Sequence, residues 1–122
     1  IMHKHQGKLE FTEYQDRNVH EMFRLVSQAL EQMVTTLGEN NNYHISDEEF
    51  MRAENIENEI NNFRDLLKSQ NTIKVTDHEY DYLTGVNYMD IILECEKMGD
   101  YIINVQEAIK ERKLTRETSR FA

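Results

Sequence analysis

Hydrophobic positions recur at helical spacing along most of this chain. Between about residues 12 and 37, Val19, Phe23, Val26, Leu30, Met33 and Leu37 repeat at alternating steps of four and three, which lays them in one stripe on one helix face. That predicts a first helix with the stripe as its core side. Gly38 and the following "ENNNY" predict its end, because glycine suits the position just past a helix C-terminus and asparagine discourages continuation. A second helix is expected over about 47 to 69, with Ala53, Ile56, Ile60, Phe63 and Leu67 as its stripe. Its start is marked by Ser46 with Glu49 as a capping box and by Ile45 with Phe50 as a hydrophobic staple. The same letters recur at Thr76 with Glu79 and at Val75 with Tyr80, which predicts a third helix over about 77 to 112. No strand-like alternation competes. Short connections force antiparallel neighbours, so the expected architecture is all-α, an antiparallel up-down-up three-helix bundle.

The flanks carry less pattern. Residues 1–11, "IMHKHQGKLEF", have no periodicity and are expected as a poorly ordered N-terminal segment in which His3 and His5 form no metal pair. The helical domain is expected over 12–114 and a tail over 115–122. Lys110, Arg112, Lys113, Arg116 and Arg120 cluster at the end of the third helix, where cations suit the helix dipole and solvation. A chain of 122 residues supports one domain, and the start at Ile1 rather than Met leads us to expect a piece of something longer.

Composition narrows the function classes. With 39% hydrophobic and 30% charged residues, no proline and four glycines, the chain reads as a soluble helical protein. A formal charge of -9 repels nucleic acid and favours basic partners or bound cations. The single cysteine, Cys95, forms no internal disulfide and suits a reducing compartment. No apolar run is long enough to span a membrane. Cys95 also lacks a neighbouring base on its own face, so it reads as a packed thiol, and glycine-rich phosphate loops are absent. None of the five histidines lies three residues after an acidic one, which removes a ferritin-like di-metal oxidase. His20, His44 and His78 read as surface residues, and Met22, Met33 and Met89 as core. The chain is expected to be a non-enzyme.

One segment resists a plain core reading. In "ECEKMGDYIINVQEAI", residues 94–109, Glu96 and Asp100 stand one turn apart beside the apolar side, with Gly99 between them. Unpartnered carboxylates against apolar surface cost several kcal/mol, on the order of the penalty for any buried ion, so they must reach water, a cation or a polar network. Three readings follow: rim residues on a broad apolar sector, oxygen ligands for a metal, or a network that sets helix register. Gly99 costs about 1 kcal/mol relative to alanine in a helix and implies a close approach by another helix. On helix two, "AENIENEINNFR" offers Glu57 and Asn61 at the same spacing, with Glu54 before them.

These residues carry a resemblance. The segment from Glu94 to Glu107, with Glu96, Lys97, Met98, Gly99, Asp100 and Asn104, is similar to the motif helix of the PhoU family. "ENIENEINNFRDLL" resembles that family's preceding helix, its Glu-x-x-Ile-Asp pattern falling on Glu57, Ile60 and Asn61. The likeness spans about residues 14 to 112 and implies one three-helix PhoU repeat. It further implies a part in phosphate regulation. Full members resemble two tandem repeats that modulate phosphate uptake and a sensor kinase, while a single repeat resembles the cytoplasmic domain of bacterial sodium/phosphate cotransporters. The expected partner is therefore the membrane portion of a phosphate transporter or another phosphate-signalling protein. The expected location is cytoplasmic, tethered at the membrane's inner face.

The resemblance also implies divalent or ferric metal ions, with Glu57, Asn61, Glu96 and Asp100 as ligands. Asn61 departs from the family's Asp and removes one carboxylate; Lys97 departs from its Arg and removes a bidentate fork. A homodimer imitating the tandem arrangement is the expected assembly. The alternative is a metal-free helical adaptor that uses the six methionines and six tyrosines as an adaptable surface.

Overall fold

The computed structural model describes residues 10–39 and 44–121, with side chains for 10–38 and 44–112. Among the described residues there are three helices: α1 at Glu13–Glu39, α2 at Asp47–Thr76 and α3 at Tyr82–Phe121. Each packs on the other two. Cross-helix hydrogen bonds give the directions. Tyr14 near the start of α1 donates to Gln70 near the end of α2, and Gln32 reaches the Glu49 carbonyl at the opposite end, so α1 and α2 are antiparallel. Asn18 meets Tyr88 and Gln32 meets Gln106, so α1 and α3 run parallel. The up-down-up bundle is thus the fold expected.

Both α1 and α2 begin with capping boxes. Thr12 Oγ1 accepts from the Gln15 N–H at 3.0 Å while Gln15 Oε1 accepts from the Thr12 N–H at 2.9 Å. Ser46 and Glu49 exchange the same two bonds at 3.1 and 3.2 Å, and Ile45 before them is buried. The box at Ser46 is the one expected, and "TEYQ" carries the same four-residue pattern at the start of α1.

The second boundary differs from expectation. Thr76 is the last residue of α2, not the cap of α3, and α2 continues about two turns past residue 69. A Schellman closure replaces the predicted box: the Glu79 N–H bonds the Lys74 carbonyl at 2.8 Å, the His78 N–H bonds the Val75 carbonyl at 3.1 Å, and His78 takes φ 60. Glu79 ion-pairs with Lys74 at 3.2 Å instead of turning back to Thr76. The extra turns are held because they still have a neighbour. Asn71 is buried and donates to the Gly85 carbonyl at 3.3 Å. α3 therefore starts at Tyr82, with the Gly85 N–H bonded to the Asp81 carbonyl.

At the flanks, Phe11 is partly buried and sets its ring edge-on to Tyr88 at 5.9 Å, packed against the core; residues 1–9 of the segment expected to be poorly ordered lie outside the described residues. The backbone of 115–121, expected as tail, continues α3. Lys110 of the basic cluster pairs with Asp47 at the start of α2 and lies 5.8 Å from the Phe50 ring centroid.

The core also corrects the α1 stripe. Val19 and Val26 are buried as predicted, but Phe23 and Leu30 face outward, and Met22, Leu25 and Ala29 fill the interior instead. The apolar sector of α1 is wider than the surface its neighbours cover. On α2, Ala53, Ile56, Ile60 and Leu67 are buried as expected. Met22 and Met89 are buried, Met33 partly so, and the three described histidines named above are exposed.

Candidate functional site

The predicted site residues lie on the two helices expected, α2 and α3, and Gly99 explains how closely those helices meet. A Cβ at Gly99 would stand 2.9 Å from Ile60 Cδ1, and Ile60 is fully buried. The missing methyl is thus what admits Ile60 against α3.

Beside this contact the polar groups divide into pairs. Glu57 Oε1 accepts from Asn61 Nδ2 at 2.8 Å, one turn apart on α2. Glu96 is paired across the interface by Arg64, whose guanidinium also bonds Asp65 at 2.9 Å. Both side chains are mostly covered, 24% exposed for Arg64 and 19% for Glu96, so this is more than a surface pairing. Burial works against the Arg64 charge, but the carboxylates of Asp65 and Glu96 outweigh it and raise the guanidinium pKa above its ordinary value. Asp100 is exposed and accepts from Asn104 at 3.4 Å along its own helix. Lys97 pairs with Glu94 in solvent.

Glu57 thus bonds Asn61, Glu96 bonds Arg64 and Asp100 bonds Asn104, so the four side chains share no common partner. Among the described residues no three His, Cys, Asp or Glu side chains are grouped so as to hold a metal ion. The physical reason lies in two residues. Arg64 supplies at Glu96 the positive charge that a cation would supply. Asn61 offers Glu57 an N–H donor where an aspartate would offer a second repelling carboxylate. One feature does suit a cation: Glu57 Oε2 is buried without a hydrogen-bond partner. A single carboxylate oxygen falls well short of the several ligands a hard cation takes. The residues as arranged do not fit a metal centre.

Arg64 is the participant that reading the sequence passed over. Spacing puts 57, 61 and 64 on one helix face, but the partner of Arg64 comes from α3. Cys95 is buried as expected, and burial, with Glu94 nearby, pushes its thiol pKa up and keeps it unreactive. At the far end of the bundle, Thr12, Tyr14, Gln70, Ile73 and Tyr80 line an open groove of about 580 Å³, whose Lys74 is already paired with Glu79.

Comparison with known proteins agrees with this architecture. The model of the PhoU domain family matches residues 19–109, which includes most of α1, all of α2 and the motif region of α3. No match was found among curated proteins or among solved structures. With three helices in the expected order and a family match over most of its length, the chain belongs to the PhoU family.

Proposed function

We propose that this PhoU domain regulates phosphate homeostasis as the cytoplasmic domain of a sodium-dependent phosphate transporter, where it modulates uptake without catalysing a reaction. The observation that carries this reading is the PhoU match laid over a three-helix bundle whose motif face is closed by its own ion pair. Such a bundle is a stable body for contacts. The charge of -9 supports a membrane-side setting, because cytoplasmic loops of membrane proteins carry an excess of Lys and Arg. No described helix is long and apolar enough to cross the membrane itself, so the spans would come from the parent gene product.

The test is sodium-dependent phosphate uptake by the parent protein with and without this domain. Altered uptake at equal membrane abundance is the expected result, and unchanged uptake would refute the proposal, as would a parent sequence without membrane spans. A metal-free adaptor is the second reading, favoured by the Arg64–Glu96 pair. Metal content measured after purification without chelator bears on that reading alone. Stoichiometric divalent or ferric ion, lost in Asp100→Ala, would mean that Arg64 releases Glu96 and that Glu57, Asn61, Glu96 and Asp100 rearrange around the ion.

A further inference from the structure

The exposed apolar side chains of α1 form a row. Phe23 is 49% exposed, Leu30 46% and Val34 59%, at steps of seven and four that keep them on one face. That face lies away from α2, whose contacts run down the other flank of α1: Tyr14 bonds Gln70, and Arg17, Glu21 and Arg24 border Phe63. The row accordingly borders α3. On α3, Glu96, Gly99 and Lys110 mark the side turned to α2. Ile91, Met98 and Val105, at steps of seven, lie on the opposite flank, toward α1. Met98 is 56% exposed, and Ile91 and Val105 are half-buried.

The two rows also match in level. Asn18 meets Tyr88 and Gln32 meets Gln106, so Phe23, Leu30 and Val34 stand beside the stretch from about Ile91 to Val105. The two rows thus flank the α1–α3 seam at the same level, away from the motif face.

Charge around the seam identifies what it suits. Glu31 borders it on α1, and Asp90 and Glu94 on α3, all exposed. The exposed cations nearest it are already paired, Lys97 with Glu94 at 3.2 Å and Arg24 with Glu21 at 2.6 Å. A second copy of this chain, itself carrying a net charge of -9, would set the same acidic rim against this one, which opposes self-association there. We infer that the α1–α3 seam is a docking surface for an amphipathic helix of a partner protein, one that lays apolar residues along Phe23, Leu30, Val34 and Met98 and basic residues against the acidic rim. Such a helix reads the groove through anchors at helical spacing, with the rim giving selectivity by sign. The inference does not depend on the transporter setting, and its test leaves uptake aside.

The probe is a synthetic amphipathic helix of about five turns with leucine on one face and lysine on both flanks, compared with a twin carrying glutamate on the flanks. Titrated against the whole chain at low salt, the lysine probe should bind at least about tenfold tighter than its twin, and less tightly as salt rises. Leu30→Gln together with Met98→Gln should weaken it by about tenfold or more, since each removes an exposed anchor without touching the core. Circular dichroism confirms that the pair still folds. Equal affinity for the two probes, no binding, or no effect of the pair would overturn the inference. So would sedimentation showing a dimer that the pair dissolves, because a second copy would then be the occupant.

Discussion

Replacing glycine by alanine at three positions should give three different signs or sizes, because the space for the added methyl differs at each. Every such change removes a helix penalty of about 1 kcal/mol, so steric cost decides the outcome. At Gly38 nothing lies within 4 Å, and Gly38→Ala should stabilise by a few tenths to about 1 kcal/mol. At Gly99 the new Cβ meets Ile60 Cδ1 at 2.9 Å. That methyl ends a flexible side chain but is fully enclosed, so overpacking of about 1–3 kcal/mol should exceed the propensity gain and leave a net loss of about 1 kcal/mol. Gly85 is tighter still: its Cβ would stand 2.6 Å from Val75 Cγ2 and 3.2 Å from Asn71 Oδ1. Valine is stiff at χ1, so Gly85→Ala should cost more than Gly99→Ala. The mechanism at Gly99 is separable by a double-mutant cycle. Ile60→Val deletes the clashing methyl at a cost of about 0.5–1.5 kcal/mol by itself, yet in the Gly99→Ala background it should restore stability. Denaturant midpoints at constant slope give all four corners. A Gly99→Ala protein more stable than the parent, or strictly additive losses with Ile60→Val, would refute the close-contact explanation.

Three other perturbations probe separate features. Arg64→Met keeps an apolar stem but leaves Glu96 partly buried without its cation, so stability should fall by about 1–3 kcal/mol and recover in part with Glu96→Gln; an unchanged midpoint would show the pair to be idle. His78 holds φ 60 at the end of α2, so His78→Gly should raise the melting temperature through relief of about 0.5–1 kcal/mol, and a drop would mean the imidazole makes contacts that matter. Burial, partly offset by the Asn18 hydrogen bond, pushes the Tyr88 phenol pKa from 10.0 up to about 12. A raised folded pKa stabilises the protein below the unfolded value and is lost as pH climbs through the folded one, so stability should decline between pH 10.0 and about 12. The ceiling on this loss is about 3 kcal/mol, and Tyr88→Phe should remove that share; an alkaline limb of equal depth in the variant would assign the loss elsewhere.

Helix number, order and the polarity of α2 were readable because they rest on period and on one well-placed cap. The error at Thr76 shows where such reading stops. Ser46 and Thr76 head the same four-residue pattern, but only Ser46 lies where the chain leaves a loop. At Thr76, packing of Asn71 and Val75 against Gly85 carries α2 onward, and the turn is made by His78 in a left-handed conformation that its residue type does not announce. The α1 stripe failed for a related reason. Periodicity locates an apolar sector, while the width of the neighbouring helices decides that Met22 is enclosed and Phe23 is not. On the motif face, Gly99 was legible as a close approach, since nothing else rewards a mid-helix glycine. The role of Arg64 depended on α3 bringing Glu96 within its reach, a cross-helix fact that spacing on one helix does not contain.

The two faces of the bundle thus do different physical work, and that division follows from how each satisfies its charges. On the α2–α3 face, Arg64 satisfies Glu96 and Asn61 satisfies one oxygen of Glu57, so substitutions there act first on folding. On the α1–α3 face, apolar surface stays exposed between acidic rims, and nothing in the bundle loses a partner when it is changed. Arg64→Met and Gly99→Ala should therefore shift the unfolding midpoint while the lysine-flanked probe binds the remaining folded protein with unchanged affinity. Leu30→Gln with Met98→Gln should do the reverse. Loss of probe binding in Arg64→Met at a temperature where the protein is fully folded would mean that the faces are coupled through α3. The ion pair would then set the position of the seam as well as the stability of the bundle.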